Sequence, residues 1–418
     1  MSPVSAPERK LNGIAFFIAD LQMGLGPLLA VYLVAVLNWN PAEVGLMITA
    51  GAIVTLLLQV PMGALVDVTR RKRTLIVGAA VLLSVSTVIV PLAPSLATIL
   101  ANTLILGAVA AFFGPAMASL VLGVVGSARY DLVFARTQIY QHSGTVFYAG
   151  ILLLIAIFSP LSSSEQAIAP FYLLPLLGVG LIVWVCRLPE KAINHAWARG
   201  SDSEGVKNPA VSAFQLVTLY PMIWKLALCF FLFHLGNAAM LFLISERLAS
   251  SHHGGSASDA ILVASGSIVA AQAMMVAMAI WVVAKVNQRG RKFFLLVAFA
   301  VLPIRGFLLS LDDSIAYMFT VQLLDGIGAG LIGAVMPIVL ADVVRGSGHY
   351  NLALGFLLTA QGVGAAMSQT LGGTAANMMG FDNAFLLLAA IALVALCAVI
   401  TLVPETGTSI KASSRGGE

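Results

Sequence analysis

Five ionisable side chains stand inside long apolar stretches of this 418-residue chain: Asp20, His142, His234, Arg305 and Asp325. Placing such a group in the middle of a membrane-crossing helix costs about 2.5–3.5 kcal/mol on insertion scales. A chain keeps one there where it faces water, a partner or a bound solute. Carboxylates and imidazoles also exchange protons, and an unperturbed imidazole does so near pH 6.5. The chemistry on offer is therefore proton binding and solute binding. Two of the five occupy similar settings: FFIADL at 16–21 and FFLFHL at 230–235 each put the ionisable residue four positions after the first phenylalanine.

Residues three, four and seven apart share one side of a helix, and on that spacing the five have polar company. Gln138, Gln141, His142 and Thr145 form a stripe. Asn237 lies one turn from His234, and Gln322 one turn before Asp325; Gln361 and Ser368 lie seven apart. Gly24 and Pro27 share the face of Asp20, where another backbone or a solute could come close. The alternative for each carboxylate is a hydrogen-bonded packing residue, and for each histidine a neutral ring satisfied in a bundle core. Arg305, which follows Pro303, reads as a snorkelling side chain or the partner of an acid.

The elements that must carry these residues follow from composition. The chain is 60% apolar and 10% charged, with a mean hydropathy of +0.98. Soluble domains are roughly 45–50% apolar and 25% charged, so this chain cannot coat a water-facing surface and is read as an all-α membrane protein. A span needs about 20 apolar residues. Twelve such runs occur, at 12–37, 42–66, 74–93, 96–123, 132–159, 168–187, 222–248, 258–284, 293–311, 314–341, 350–375 and 382–403. The first is too long for a signal-peptide core and lacks a cleavage site, so it stays as a span. The expected organisation is a bundle over 1–187, a flexible cytoplasmic linker over 188–221, and a second bundle with a short tail over 222–418.

With both termini placed in the cytoplasm, all of the 22 Lys and Arg except Arg247 and Arg305 fall at or near cytoplasmic ends. The loops on the other side carry Glu43, Glu165, Asp259, Asp312, Asp313 and Asp382. This is the positive-inside pattern, and it accounts for the basic charge balance without a nucleic-acid partner. The halves also repeat. RRKR at 70–73 and RGRK at 289–292 each follow the second span of a half. Gly126, Tyr130, Asp131, Leu132, Gln141 and Gly144 match Gly346, Tyr350, Asn351, Leu352, Gln361 and Gly364. Carriers built of two such repeats bind near mid-membrane.

GALVDVTRRKR at 63–73 resembles the loop motif of the major facilitator superfamily, and on it the whole chain is similar to that family of secondary transporters. Gly63, Asp67 and Arg71 fit the motif, whereas Val68 and Arg70 depart from it. LVPET at 402–406 resembles the tail of many members. The resemblance implies twelve helices in two pseudo-symmetric six-helix bundles. It also implies a polar cavity lined by the first, fourth, seventh and tenth helices and flanked by the second, fifth, eighth and eleventh. Asp20, His142, His234 and Asp325 fall on those helices. Gly63, Asp67 and Arg71 inherit the family's cytoplasmic gating role. The arginine motif of the fourth span is absent, since Thr103–Gly107 reads TLILG, and so is the fifth-span antiporter motif, a Gly114-Pro115 pair lying in the fourth instead.

The expected function is proton-coupled movement of a small neutral or cationic organic solute by alternating access, with export favoured over uptake by symport or uniport. Asp20, Gln138, Gln141, His142, His234, Asn237, Gln322, Asp325 and Gln361 are the expected solute and proton groups. No enzyme, metal or cofactor is expected: GAGLIG at 328–333 lies mid-span with no strand before it, and His252-His253 sits in a loop. Cys186, Cys229 and Cys397 read as small apolar residues. The chain is expected to work as a monomer in the plasma (inner) membrane. A membrane-embedded enzyme, or a sensor or scaffold, are the alternatives from other classes. The first would need a nucleophile–base pair, and the second a soluble signalling domain.

Overall fold

The structure, a computed structural model, describes residues 5–23, 25–195, 197–199, 215, 218–250, 256–344 and 350–406. The long helices among them are α1 (Ala6–Met23), α2 (Pro27–Ala35), α3 (Pro41–Val68), α4 (Lys72–Leu92), α5 (Leu96–Val125), α6 (Ser127–Phe158) and α7 (Ser163–Arg187) in the first half. The second half has α8 (Met222–Asn237), α9 (Met240–Ala249), α10 (Ala257–Arg289), α11 (Arg291–Leu309), α12 (Ile315–Val343), α13 (Tyr350–Met379) and α14 (Phe381–Leu402). α1 with α2, and α8 with α9, each form one interrupted rod, which gives twelve crossings. Among the described residues, eleven rods are long and apolar enough to span a membrane. The remaining one, α13, is 30 residues long, about 45 Å at 1.5 Å per residue. Its many Gly, Ser, Gln, Thr and Asn residues lower its hydropathy without shortening it.

The rods follow the expected limits closely. The larger differences are polar extensions of α1, α6, α7 and α10, where helix continues past the apolar run. At α7 the reason is local: Ser162 and Glu165 form a capping box, the Ser162 hydroxyl accepting from the Glu165 amide. Such caps satisfy amides that the first helical turn leaves free. Large apolar side chains face outward, Leu57, Phe158 and Leu176 all being more than 60% exposed. That is the surface a hydrocarbon environment favours and water does not.

The chain divides into two compact units. One holds Met1–Trp39, Met47–Val206 and Leu248–Ser265, and the other Asn40–Leu46, Lys207–Arg247 and Gly266–Glu418. Each unit repeats one packing plan. In the first, α1 packs on α6 and α7, and α4 on α7 and α5. In the second, α8 packs on α13 and α14, and α11 on α14 and α12. Two glycines set the closest of these approaches: a Cβ on Gly144 would collide with the Phe16 carbonyl, and one on Gly364 with that of Phe231. Small residues at such crossings let membrane helices meet backbone to backbone.

The linker expectation needs correction over its first part. Residues 190–192 and 197–199 form short 3-10 turns, and the segment is pinned to α5. The Asn194 amide donates to the Gly123 carbonyl at 2.7 Å, and the Ser119 hydroxyl donates to the Ala198 carbonyl at 2.9 Å. Ile193 and Ala198 are buried, so the apolar residues scattered in this stretch anchor it. Residues 200–214, the pair His252-His253, Gly24 and Gly346 lie outside the described residues.

Candidate functional site

The densest polar cluster lies in the second unit, and Arg305 is its centre. This side chain, on α11, is 1% exposed, so it does not snorkel; it pairs with an acid. Its Nη1 donates to Asp325 Oδ1 on α12 at 2.7 Å and also to Asn237 Oδ1 on α8. Its Nε and Nη2 both donate to Gln322 Oε1, at 2.9 and 2.6 Å. Asn237 Nδ2 donates to Asp325 Oδ1 at 3.3 Å and closes the ring. A planar guanidinium presents its donors as a rigid fork, which lets one arginine tie its own α11 to both α8 and α12. The sequence grouped Asn237, Gln322 and Asp325 as solute contacts. The structure brings all three together around Arg305, which the sequence did not place among them.

His234, one turn before Asn237, is flanked by the rings of Phe233 and Phe230, with centroids 5.2 and 6.0 Å away. Its Nε2 is buried without a partner among the described residues. The rod ends its first half at Asn237, and the interruption before α9 has dedicated partners on α13. The Ala239 amide donates to Ser368 Oγ at 3.0 Å, and Gln369 Nε2 donates to the Ala238 carbonyl at 3.0 Å. Ser368, fully buried, thus serves the backbone, while Gln361 is half-buried on the same helix. Irregular backbone at membrane depth requires such internal partners.

In the first unit Asp20 is 4% exposed on α1. Its carboxylate takes a hydrogen bond from Thr145 on α6, and its Oδ2 has no partner among the described residues. Tyr148, one turn beyond Thr145, is also buried, and its hydroxyl is equally unpartnered. Gly144 makes this possible by letting α6 reach the α1 backbone. Gln138 and Gln141 are half-buried and His142 is exposed along α6. The contact also corrects the sequence match. Gly144 meets Phe16 and Gly364 meets Phe231, so Phe16 corresponds to Phe231 and not to Phe230. Asp20 then corresponds to Leu235. One residue turns a helix by about 100°, so Asp20 and His234 are not equivalent positions.

At the basic ends of the helices, the motif around 63–73 is arranged differently from its simplest reading. Lys72, not Arg71, is the buried cation at 1% exposure. Its ammonium donates to the Thr69 carbonyl at 3.1 Å and to that of Val66, capping the C-terminus of α3 where the helix dipole favours positive charge. Arg71 is exposed, a Cβ on Gly63 would meet open space, and the Asp67 side chain lies outside the described residues. Arg73 ties α4 to the end of α7: it donates to the Val185 and Cys186 carbonyls at 3.1 Å and pairs with Glu190 at 3.2 Å. The second unit repeats the device. Lys292 donates to the Ile400 carbonyl at 2.8 Å, while Glu405 accepts from the amides of Arg291 and Lys292 at 2.9 and 3.1 Å. Arg291 pairs with Asp342 at 3.1 Å. The sequence signal was available: Pro189-Glu190 and Pro404-Glu405 each fall just after the last span of a half.

Two further charged groups went unweighed in the sequence, because they sit near the end of a span. Arg247 on α9 pairs with Asp382 at 2.7 Å and Asp313 at 3.3 Å. Glu246, beside it, is 2% exposed. Among the described residues no three of His, Cys, Asp and Glu come together as metal ligands.

The sequence matches the family described as the Major Facilitator Superfamily over residues 12–314 and again over 226–418. Two relatives from Mycobacterium tuberculosis strains, each an uncharacterized MFS-type transporter, are 36% identical over 399 residues, covering 95% of this chain and 93% of theirs. The fold is similar to that of the nucleoside transporter NupG, with a TM-score of 0.75 at 12% identity, covering 95% of this chain and 99% of that one. It is also similar to a D-xylose-proton symporter and to a bacterial homolog of the human lysosomal transporter Spinster. Each of those has a TM-score of 0.71 at 15% identity, with 96% of this chain and 97% of the other covered.

Proposed function

The chain belongs to the major facilitator superfamily, and on that premise we propose that it carries a small neutral or cationic organic solute across the plasma membrane. In this reading transport runs by alternating access, is driven by the proton gradient, and favours export. The observation that carries the proposal is Asp20, a buried mid-span carboxylate with Thr145 on one oxygen and, among the described residues, no partner on the other. Burying an unmatched charge is costly. A proton or a cationic or donor-bearing solute offsets that cost, and a carrier can load and unload either one.

The second unit supports the same reading. The charge of Arg305 is already matched by Asp325, so the network offers no spare cation to an anionic solute. Protonating Asp325 would release Arg305 and loosen three helices at once, which makes the network a second place where proton binding can alter packing. Gln138, Gln141 and His142 on α6, with His234 and Gln361, supply the remaining polar contacts. Gly63, Asp67 and Arg71, backed by Lys72, form the cytoplasmic latch, and the chain works as a monomer with both termini in the cytoplasm. Among solved carriers of this fold, one is a D-xylose-proton symporter, so the architecture accommodates proton coupling; symport and uniport are the alternatives.

The test is flux in proteoliposomes with and without an imposed proton gradient, for the wild type, Asp20→Asn and Asp325→Asn. Flux should collapse with the gradient, and each substitution should flatten its pH dependence. An unchanged pH profile in both variants would remove these carboxylates from coupling. Turnover without vectorial movement would favour a membrane-embedded enzyme.

A further inference from the structure

Glu246 is a titratable group that the proposed function does not use. It lies on α9, in the half of the seventh span that ends at the acidic loops, and 12 residues beyond His234. That is about 18 Å along a helix rising 1.5 Å per residue. The residue is 2% exposed, and its Oε2 has no hydrogen-bond partner among the described residues.

Among the described residues no cation pairs with it. The packing around α9 is fixed by Met240 against Gly306 of α11 and by Leu243 against Gly372 of α13. On α11, Arg291 and Lys292 stand at the far end of the helix, and the charged side chain in this half is Arg305, which is bound to Asp325, Gln322 and Asn237. α13 carries no titratable residue from Ala365 to Met379. On α9 itself Arg247 is held by Asp382 and Asp313. Among the described residues the other charged groups at this end of the unit are acids: Asp312 in the loop before α12, and Glu43 near the start of α3, whose carboxylate accepts from the Asn40 amide. An ionised carboxylate enclosed among these neighbours would have neither water nor a counter-charge, and proteins avoid that state by neutralising the group.

We infer that Glu246 is a proton-binding site in its own right, separate from Asp20 and from the Arg305–Asp325 pair, and that the packed arrangement holds it as the neutral carboxylic acid. Losing the proton breaks the O–H bond, passes H+ to water at that end of the helices, and leaves an anion next to Arg247. The two present partners of Arg247 are surface acids, with Asp313 and Asp382 side chains 55% and 57% exposed, and water can take them over when Arg247 turns to Glu246. Proton release at Glu246 is thereby linked to the ties that Arg247 makes to the α11–α12 loop and the start of α14.

Infrared spectroscopy on the purified full-length protein tests this without any solute, so its outcome is independent of whether transport is proton-coupled. At neutral pH the wild type should show the carbonyl stretch of a protonated carboxylic acid, which is lost in Glu246→Gln and kept in Asp20→Asn. Glutamine has the shape of the neutral acid, so the variant should fold. If it does not, wild-type protein labelled with carboxyl-13C glutamate gives the same information: the acid band should move to lower frequency, and aspartate labelling should leave that component in place. A band untouched by both the substitution and the glutamate label, or no acid band at all, overturns the assignment.

Discussion

Breaking the Arg305–Asp325 pair tests the central geometry of the second unit. Asp325→Asn keeps the size of the side chain and its contact with Asn237 but removes the charge that, among the described residues, faces a guanidinium that is 1% exposed. Removing one partner of a buried pair costs about 3–5 kcal/mol, because the other charge stays behind. Asp325 is 23% exposed at its side chain, so some water reaches the pair and the lower end, about 3 kcal/mol, applies. Arg305→Met should cost as much or more, since Gln322 and Asn237 lose their donors too. The double variant removes both charges and should fall short of the sum by about 2–3 kcal/mol, as contacting residues in one network do. Equilibrium unfolding in mixed micelles can be read from the labelling of Cys229, which is buried on α8, after the exposed Cys186 and Cys397 are replaced by alanine. Costs that add to within about 0.5 kcal/mol would show that the two charges do not depend on each other, and the reading of this network would be wrong.

Three further outcomes follow from local geometry. Gly144→Ala and Gly364→Ala put a methyl group against a backbone carbonyl and should each cost about 1–3 kcal/mol, whereas Gly63→Ala meets open space and should be neutral or slightly stabilising; melting temperatures in detergent rank the three. Lys72→Met leaves the Val66 and Thr69 carbonyls without their cation and should cost about 1–3 kcal/mol, while Arg71→Ala, at an exposed side chain, should stay within about 0.5 kcal/mol; equal losses in both would refute the capping role. Glu405→Ala removes the acceptor of the Arg291 and Lys292 amides at the start of α11 and should cost about 0.5–2 kcal/mol, seen as faster amide exchange confined to the first turn of that helix.

The sequence by itself determined the class of the molecule and its crossings. Twenty apolar residues in a row have few stable fates, and positive charge at alternate breaks is a strong constraint, so the limits of α3 to α5 and α11 to α14 and the outer ends of the α8–α9 rod were legible to within a few residues, while the breaks inside the first and seventh rods were not. The repeat was legible too, down to the pairing of Gly144 with Gly364. The sequence could not set the helix rotation, because matching FF to FF ignores a shift of one residue, and only the contacts of those glycines with Phe16 and Phe231 fixed it. Nor could it show which charges meet. Arg305 stands on one rod, Asn237 on another and Gln322 with Asp325 on a third, and their separations along the chain bear no relation to the 2.6–2.9 Å over which most of them bind. Periodicity reports which side of a single helix is polar. Partnership depends on how neighbouring helices are turned and raised against one another, and side chains far apart in sequence make that choice.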